Sequence, residues 1–281
     1  MYLLLWVTLI WSGSFSLIGE FLAGRVDPYL AVLSRMLLAL LLFLPWLLKT
    51  TTPPRQALAL AGIGAVQLGL MYLLFYHSFL YLSVAEVLLF TILTPVYVAV
   101  LDQAWRQGRI RLDWLGPALL AVLGALVIRY QQPSNDFWFG LLLVQGANLC
   151  FAFGQVAYRQ LDVGQTLAQG QNFGWFFLGA TLVAVIGAAC FADWQQAPTS
   201  LVDILVLLWL GLVASGLGYW LWNAGARQVN ASQLAVMNNL LIPAGLLVNF
   251  VLWQQQVNWL PFCTGAVIIL VSLAWAHRLQ R

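Results

Sequence analysis

Glu20, Arg35, His77 and Glu86 are ionisable side chains in or at the ends of long apolar stretches. A charge or titratable group held in such surroundings is costly unless it is paired or faces water, so it is a functional candidate by default. At about 1.5 Å per helical residue, Glu20, His77 and Glu86 fall roughly 3–5 Å from one end of their helices, and Arg35 about 10 Å in. That placement suits an outer gate, with Arg35 paired to Glu20 or Glu86. His77 beside it would titrate with external pH and supply proton coupling, because imidazole changes charge in the physiological range. The plainer roles are a structural ion pair, or a long side chain reaching to an interface.

A second set is neutral. Trp11, Ser14, Gln67, Tyr72, Thr91, Thr94, Gln145, Asn148, Ser215, Tyr219, Asn238 and Asn239 all fall near the middle of apolar stretches. Asn and Gln at that depth must find a partner or water. Lining one cavity, they make a substrate-binding pocket of amides, hydroxyls and aromatic faces. Amides both donate and accept, which suits zwitterions and polar neutral molecules, while Trp and Tyr faces suit apolar groups and cations. Phosphate would call for several cations at depth, and only Arg35 lies inside a stretch. Sugar phosphates and nucleotide sugars are therefore disfavoured. The competing role for each amide is a hydrogen bond between helices, worth about 0.6–2 kcal/mol.

The elements that position these residues follow from composition. The 281 residues carry 12 Lys+Arg and 9 Asp+Glu, 7% charged, and are 62% hydrophobic; soluble domains are about 25% charged and roughly 45–50% apolar. This excludes a soluble enzyme and a disordered chain, and a net charge of +3 on so few groups is no nucleic-acid footprint. A bilayer-crossing helix needs about 20 apolar residues. Ten stretches qualify: 2–21, 28–48, 57–80, 83–103, 114–129, 137–158, 172–191, 201–223, 231–252 and 259–277. The expected fold is an all-α membrane protein of ten transmembrane helices with short loops. Runs such as 37–44 and 204–210 do not alternate, which excludes a β-barrel. With the N-terminus inside, 9 Lys and Arg fall in cytoplasmic segments and 2 outside, so both termini are expected to be cytoplasmic. Residues 1–5 have no basic segment before them and read as the start of the first span rather than of a signal peptide. Cys150, Cys190 and Cys263 lack paired spacing and imply neither a disulfide nor a metal site.

The chain repeats. Pro95 and Pro243 sit mid-span, 148 residues apart, each after an Ala-containing helix start and before a Trp (Trp114, Trp259) that opens a closing apolar helix. Leu68-Gly69-Leu70 matches Leu210-Gly211-Leu212. Residues 1–130 and 136–281 thus form two five-helix repeats. Five is odd, so the second is inverted relative to the first, the arrangement on which alternating access is commonly built. Gly13, Pro95 and Pro243 are the hinge candidates beside the site. A membrane enzyme would instead cluster reactive groups at one interface, and no loop is large enough to hold them.

The run Trp11-Ser12-Gly13-Ser14-Phe15, with Leu33-Ser34-Arg35-Met36-Leu37-Leu38-Ala39, resembles the opening of EamA-type members of the drug/metabolite transporter superfamily. The segment from Leu210-Gly211-Leu212 through Ser215-Gly216-Leu217-Gly218-Tyr219-Trp220-Leu221-Trp222-Asn223 resembles that family's eighth helix, and the mid-helix prolines match its fourth and ninth. The resemblance covers essentially the whole chain. It implies ten helices in two inverted repeats, a bacterial inner (plasma) membrane, and export or exchange of small metabolites. The chain departs where the family usually carries Gly-Glu after each proline: here stand Arg106-Gln107-Gly108-Arg109 and Gln254-Gln255-Gln256.

The expectation is therefore a secondary transporter, not an enzyme, exporting or exchanging small polar metabolites such as amino acids by alternating access. It would have no cofactor, no metal and no nucleic-acid partner, with the proton as candidate coupling ion. The rival reading is a proton-coupled exporter of lipophilic cations or drugs, which requires an embedded carboxylate, Glu20 being the best placed.

Overall fold

The computed structural model describes residues 1–22, 24–49, 51–78, 80–82, 87, 90–108, 112–129, 137–161, 166–254 and 257–279. Among these the chain is helical, with no strand. Helix α1 spans Tyr2–Leu17 and continues as a π-turn, Ile18–Leu22. Helix α2, Pro28–Leu47, begins where Asp27 accepts hydrogen bonds from the Tyr29 and Leu30 N–H groups and where Pro28, lacking an N–H, loses nothing. Helix α3 runs Pro54–Ser78 with a π section, Ala65–Leu70. Then come α4 Thr94–Gln107, α5 Leu112–Arg129, α6 Trp138–Gln160 and α7 Thr166–Phe191. Helix α8, Leu201–Ala226, opens on a Ser200/Asp203 capping box and has a π section at Trp209–Leu217. Helices α9, Ala231–Trp253, and α10, Trp259–Arg278, complete the chain.

Seven segments among the described residues are long and apolar enough to cross a bilayer: Pro28–Leu47, Pro54–Ser78, Trp138–Gln160, Gly170–Phe191, Leu201–Ala226, Ala231–Leu252 and Trp259–Arg278. Tyr2–Ser14 and Leu115–Ile128 are shorter apolar helices. Leu58, Leu142, Ile186, Leu205 and Leu260 point outward, as the outer surface of a bundle in hydrocarbon requires. The fourth expected stretch, 83–103, departs most. Val87, Phe90 and Thr91 are helical, Ile92 and Leu93 form a turn, and the helix resumes at Thr94 with Pro95 in its first turn and ends on Gly108 at φ 64, a left-handed cap that glycine adopts without steric cost.

The principal contacts pair α1 with α8 and α9, α2 with α7 and α8, α3 with α6 and α7, α4 with α6 and α9, and α5 with α10. Exchanging the first five helices for the last five reproduces the same pairs. Where α3 crosses α7, the backbones touch. A Cβ on Gly64 would run into the Phe176 carbonyl, and one on Gly179 into the Ala61 carbonyl, so only glycine permits that approach. A cluster of Phe43, Phe173, Phe176 and Phe177 fills the α2–α7 contact, and Thr181 Oγ1 donates to Met36 O at 3.2 Å.

Candidate functional site

Helices α3 and α8, each with a π section, meet through side chains around a buried aromatic and amide centre; π turns recur at functional sites. Trp11 of α1 donates through Nε1 to Ala214 O in the α8 π section at 2.8 Å. Its ring lies 4.8 Å from Tyr219, 4.9 Å from Trp222 and 6.3 Å from Phe151. Trp222 Nε1 donates to Gln155 Oε1 at 3.0 Å, and Gln155 Nε2 donates to Asn238 Oδ1 at 3.2 Å. Across from them, Gln67 of the α3 π section donates through Nε2 to Asn223 Oδ1 at 3.3 Å. The Tyr72 and Tyr219 hydroxyls are 3.3 Å apart.

Arg35 closes one side of this centre. It is 5% exposed, donates through Nε to Ser215 Oγ at 3.0 Å, lies 5.2 Å over the Tyr72 ring and is hydrogen-bonded to Tyr76. Aromatic faces and hydroxyls satisfy a guanidinium without a second charge. The expected pairing with Glu20 is not what the structure brings together, since Glu20 is exposed on the π-turn after α1. Glu86 lies outside the described residues. His77 contacts the Tyr29 hydroxyl through Nδ1 and packs edge-on against Phe191 at 4.7 Å. It lines a cavity of about 320 Å³ together with Asp27, Tyr29, Tyr76, Phe191 and Gln196. Tyr76 thus belongs both to the cavity wall and to the Arg35 cluster.

Several midplane residues have another task. Pro95 has no N–H for the Thr91 carbonyl, and Thr94 Oγ1 donates to that carbonyl at 2.7 Å. The Val96 N–H turns to Leu93 O, leaving Ile92 O to accept from Asn239 Nδ2 at 3.0 Å. Phe90 O accepts from Gln145 Nε2 at 3.1 Å and from Asn148 Nδ2 at 2.9 Å, and Tyr97 steadies Gln145 at 3.1 Å. Gln145, Asn148 and Asn239 therefore brace a helix break. Ser14 donates back to Ile10 O within α1 at 2.7 Å, and Asn238 donates to Leu234 O at 2.8 Å as well as meeting Gln155. A Cβ at Gly13 would meet nothing within 4 Å, and Pro243 lies inside α9.

Reading by depth passed over Gln155, Trp222 and Asn223, which lie nearer the helix ends. It also passed over Asp102, which forms a buried ion pair with Arg159 at 2.8 Å. Asp102 lies one residue inside the end of the expected 83–103 stretch, the signal by which it belonged with the other ionisable candidates. Among the described residues, no three His, Cys, Asp or Glu side chains group so as to hold a metal ion.

The sequence matches the EamA-like transporter family over residues 1–130 and 138–276. It is 48% identical to the biotin transporter of Salmonella typhimurium over 279 residues, covering 99% of this chain and 93% of that one. It is 48% identical to the biotin transporter of Escherichia coli strain K12 over 278 residues, with the same coverage. The probable biotin transporter of Pseudomonas aeruginosa is 47% identical over 280 residues, covering 99% of this chain and 97% of that one. A solved crystal structure at 16% identity shares the fold with a TM-score of 0.83, covering 99% of this chain and 98% of its own. The apolar helices and buried polar centre are those of a multi-pass membrane transporter of a small molecule, not of an enzyme, and the chain belongs to the EamA-like transporter family.

Proposed function

We propose that this protein carries biotin across a bacterial inner membrane. In this reading, ten spans form two inverted five-helix halves, 1–130 and 136–281, with both termini cytoplasmic, and alternating access moves the substrate between them. The exchangeable pairing of helices supports the two-fold arrangement, and the 9-to-2 distribution of basic residues supports the orientation.

The observation that carries the substrate is Arg35, a buried cation at the edge of a centre otherwise built of aromatic rings and amides. Biotin has one carboxylate on an aliphatic tail and a neutral ring system that both donates and accepts hydrogen bonds. Arg35 matches the carboxylate, and Trp11, Tyr219 and Trp222 offer apolar faces to the rest. An amino acid would also bring its ammonium beside the Arg35 cation, and the described partners of Arg35 are hydroxyls and aromatic rings, which do not balance a second positive charge there. The names of the relatives point the same way. A lipophilic-cation exporter would need a buried carboxylate in place of the exposed Glu20.

The test is counterflow of labelled biotin in proteoliposomes. Unlabelled biotin inside should stimulate uptake and amino acids should not. Biotin methyl ester should compete poorly, and Arg35→Gln should weaken biotin binding by roughly 30-fold or more, as expected for losing one partner of a desolvated charge contact. Absence of biotin counterflow, or equal competition by the ester, would overturn the reading.

A further inference from the structure

Two polar atoms at the centre of the molecule lack a hydrogen-bond partner although their residues are fully buried: Oε1 of Gln67 and Nδ2 of Asn223. The side chains touch through their other termini, Gln67 Nε2 donating to Asn223 Oδ1 at 3.3 Å. A buried amide left half-satisfied is costly, and such a group in a native structure calls for an explanation, commonly a ligand or water that completes it. Neither side chain is free to swing away. The Gln67 stem lies where a Cβ on Gly154 would stand. Asn223 follows Trp222, whose ring lies against Trp11 and whose Nε1 is held by Gln155. The pair therefore holds one unpaired acceptor and one unpaired donor on two side chains in direct contact.

We propose that this edge recognises the cyclic urea of the substrate, a ring N–H donating to Gln67 Oε1 and the urea carbonyl accepting from Asn223 Nδ2. This rests on the biotin reading and adds to it the residues that read the ring end. A ring urea holds its N–H and C=O on the same edge, the pattern that a neighbouring acceptor and donor match. Distance agrees. Ser215, which holds Arg35, and Asn223 are eight residues apart on α8, about 12 Å along the axis at 1.5 Å per residue. An extended pentanoate tail joined to a fused bicycle places its carboxylate on the order of 10 Å from the urea, given carbon–carbon bonds of about 1.5 Å. The carboxylate at Arg35 and the urea at Gln67–Asn223 are then held at two points of the buried centre, about one substrate length apart along α8.

Lipoate is the discriminating probe, having the same pentanoate tail but a cyclic disulfide in place of the urea; desthiobiotin keeps the urea and loses the thioether ring. Binding is read as ligand-induced thermal shift of the purified full chain, with unliganded melting as the folding control. In the native protein biotin and desthiobiotin should bind and lipoate should bind far more weakly, because it leaves the amide edge unpaired. Gln67→Leu and Asn223→Leu should each weaken biotin by about 10- to 100-fold and bring its preference over lipoate close to one, a change that loss of packing alone would not produce. If either leucine variant fails to fold, Gln67→Asn and Asn223→Gln keep the amides and offset the edge, with the same loss of preference expected. If the native protein shows no response to biotin, the transport reading itself falls. If it binds biotin and folded variants keep the native biotin-to-lipoate ratio, the two amides only pair with each other and the assignment is overturned.

Discussion

The two ends of the bundle are closed by different chemistry. At one end, Arg159 of α6 donates to Asp102 of α4 at 2.8 Å, both nearly buried, and to the Val229 carbonyl between α8 and α9 at 2.9 Å. Close by in the chain, Asn230 and Gln233 cap α9 and reach Ala276 and His277 of α10. The far end lies along α7, 26 residues and about 39 Å away. There Phe191 meets His77, Tyr29 meets His77, and the Asp27 carboxylate accepts from the Asp193 N–H at 3.1 Å, around the cavity of about 320 Å³. One end is thus held by a desolvated charge pair that ties three segments, the other by a carboxylate on backbone N–H groups, aromatic contacts and a half-exposed ion pair, beside open space. A buried ion pair is strong against loss of one partner, but it regains its hydration when the end opens to water. The difference separates an end held by desolvated charge from an end that borders open space.

Breaking the charged end should have the largest effect. Arg159→Leu leaves Asp102 buried without its cation and should cost about 3–5 kcal/mol, read as a fall in melting temperature. Asp102→Leu with Arg159→Leu should recover most of that loss, because an apolar pair of similar volume is nearly neutral. The recovered double variant should transport poorly, having lost the contact that rehydrates on opening. A single variant costing under about 1 kcal/mol would mean that charge does not close this end. Asp27→Ala comes next. It removes the α2 cap and the tie to Asp193, and should cost about 1–2 kcal/mol, with Asp27→Asn retaining part of it. Smaller again is Arg25→Ala. Its contact with Asp203 is 3.4 Å long and Arg25 is 53% exposed, so melting should move by less than about 1 kcal/mol equivalent.

Much of the bundle was legible because twenty apolar residues have few alternatives to a spanning helix. The described helices follow the expected stretches closely except at 83–103, where the helix breaks at Ile92 and Leu93 and resumes at Thr94 with Pro95 in its first turn. The site was legible only in part. Depth along a helix can be counted from sequence, but rotation about its axis cannot. Hence Gln67 and Gln145 looked alike, although one faces Asn223 in the centre and the other braces the Phe90 carbonyl. Arg35 was found by its charge, yet its partners were expected to be carboxylates, and tyrosines with a serine satisfy it instead. Asp102 and Arg159 were passed over because charges at span ends usually meet water; packing of α4, α6 and the α8–α9 connection desolvates them.

The cavity end offers the finest test of the comparison, through His77. Its Nδ1 faces the Tyr29 hydroxyl. With a neutral ring, one nitrogen accepts and the hydroxyl donates to it. Once the imidazole is protonated, both nitrogens are donors, so the tyrosine oxygen must turn to accept or the contact parts. A protonated ring would therefore loosen this contact beside the cavity. Gln at 77 keeps a planar polar group but has no charge to gain. His77→Gln should leave melting nearly unchanged and flatten the dependence of biotin counterflow on external pH by no more than about threefold at either extreme, the scale of one weakened neutral contact. A profile identical to the native one would remove His77 from the gate and from proton coupling, and leave the cavity end as a purely packed surface. A profile that shifts rather than flattens would assign the titration to a neighbouring group, and Asp27 on the same cavity wall is the residue to replace next.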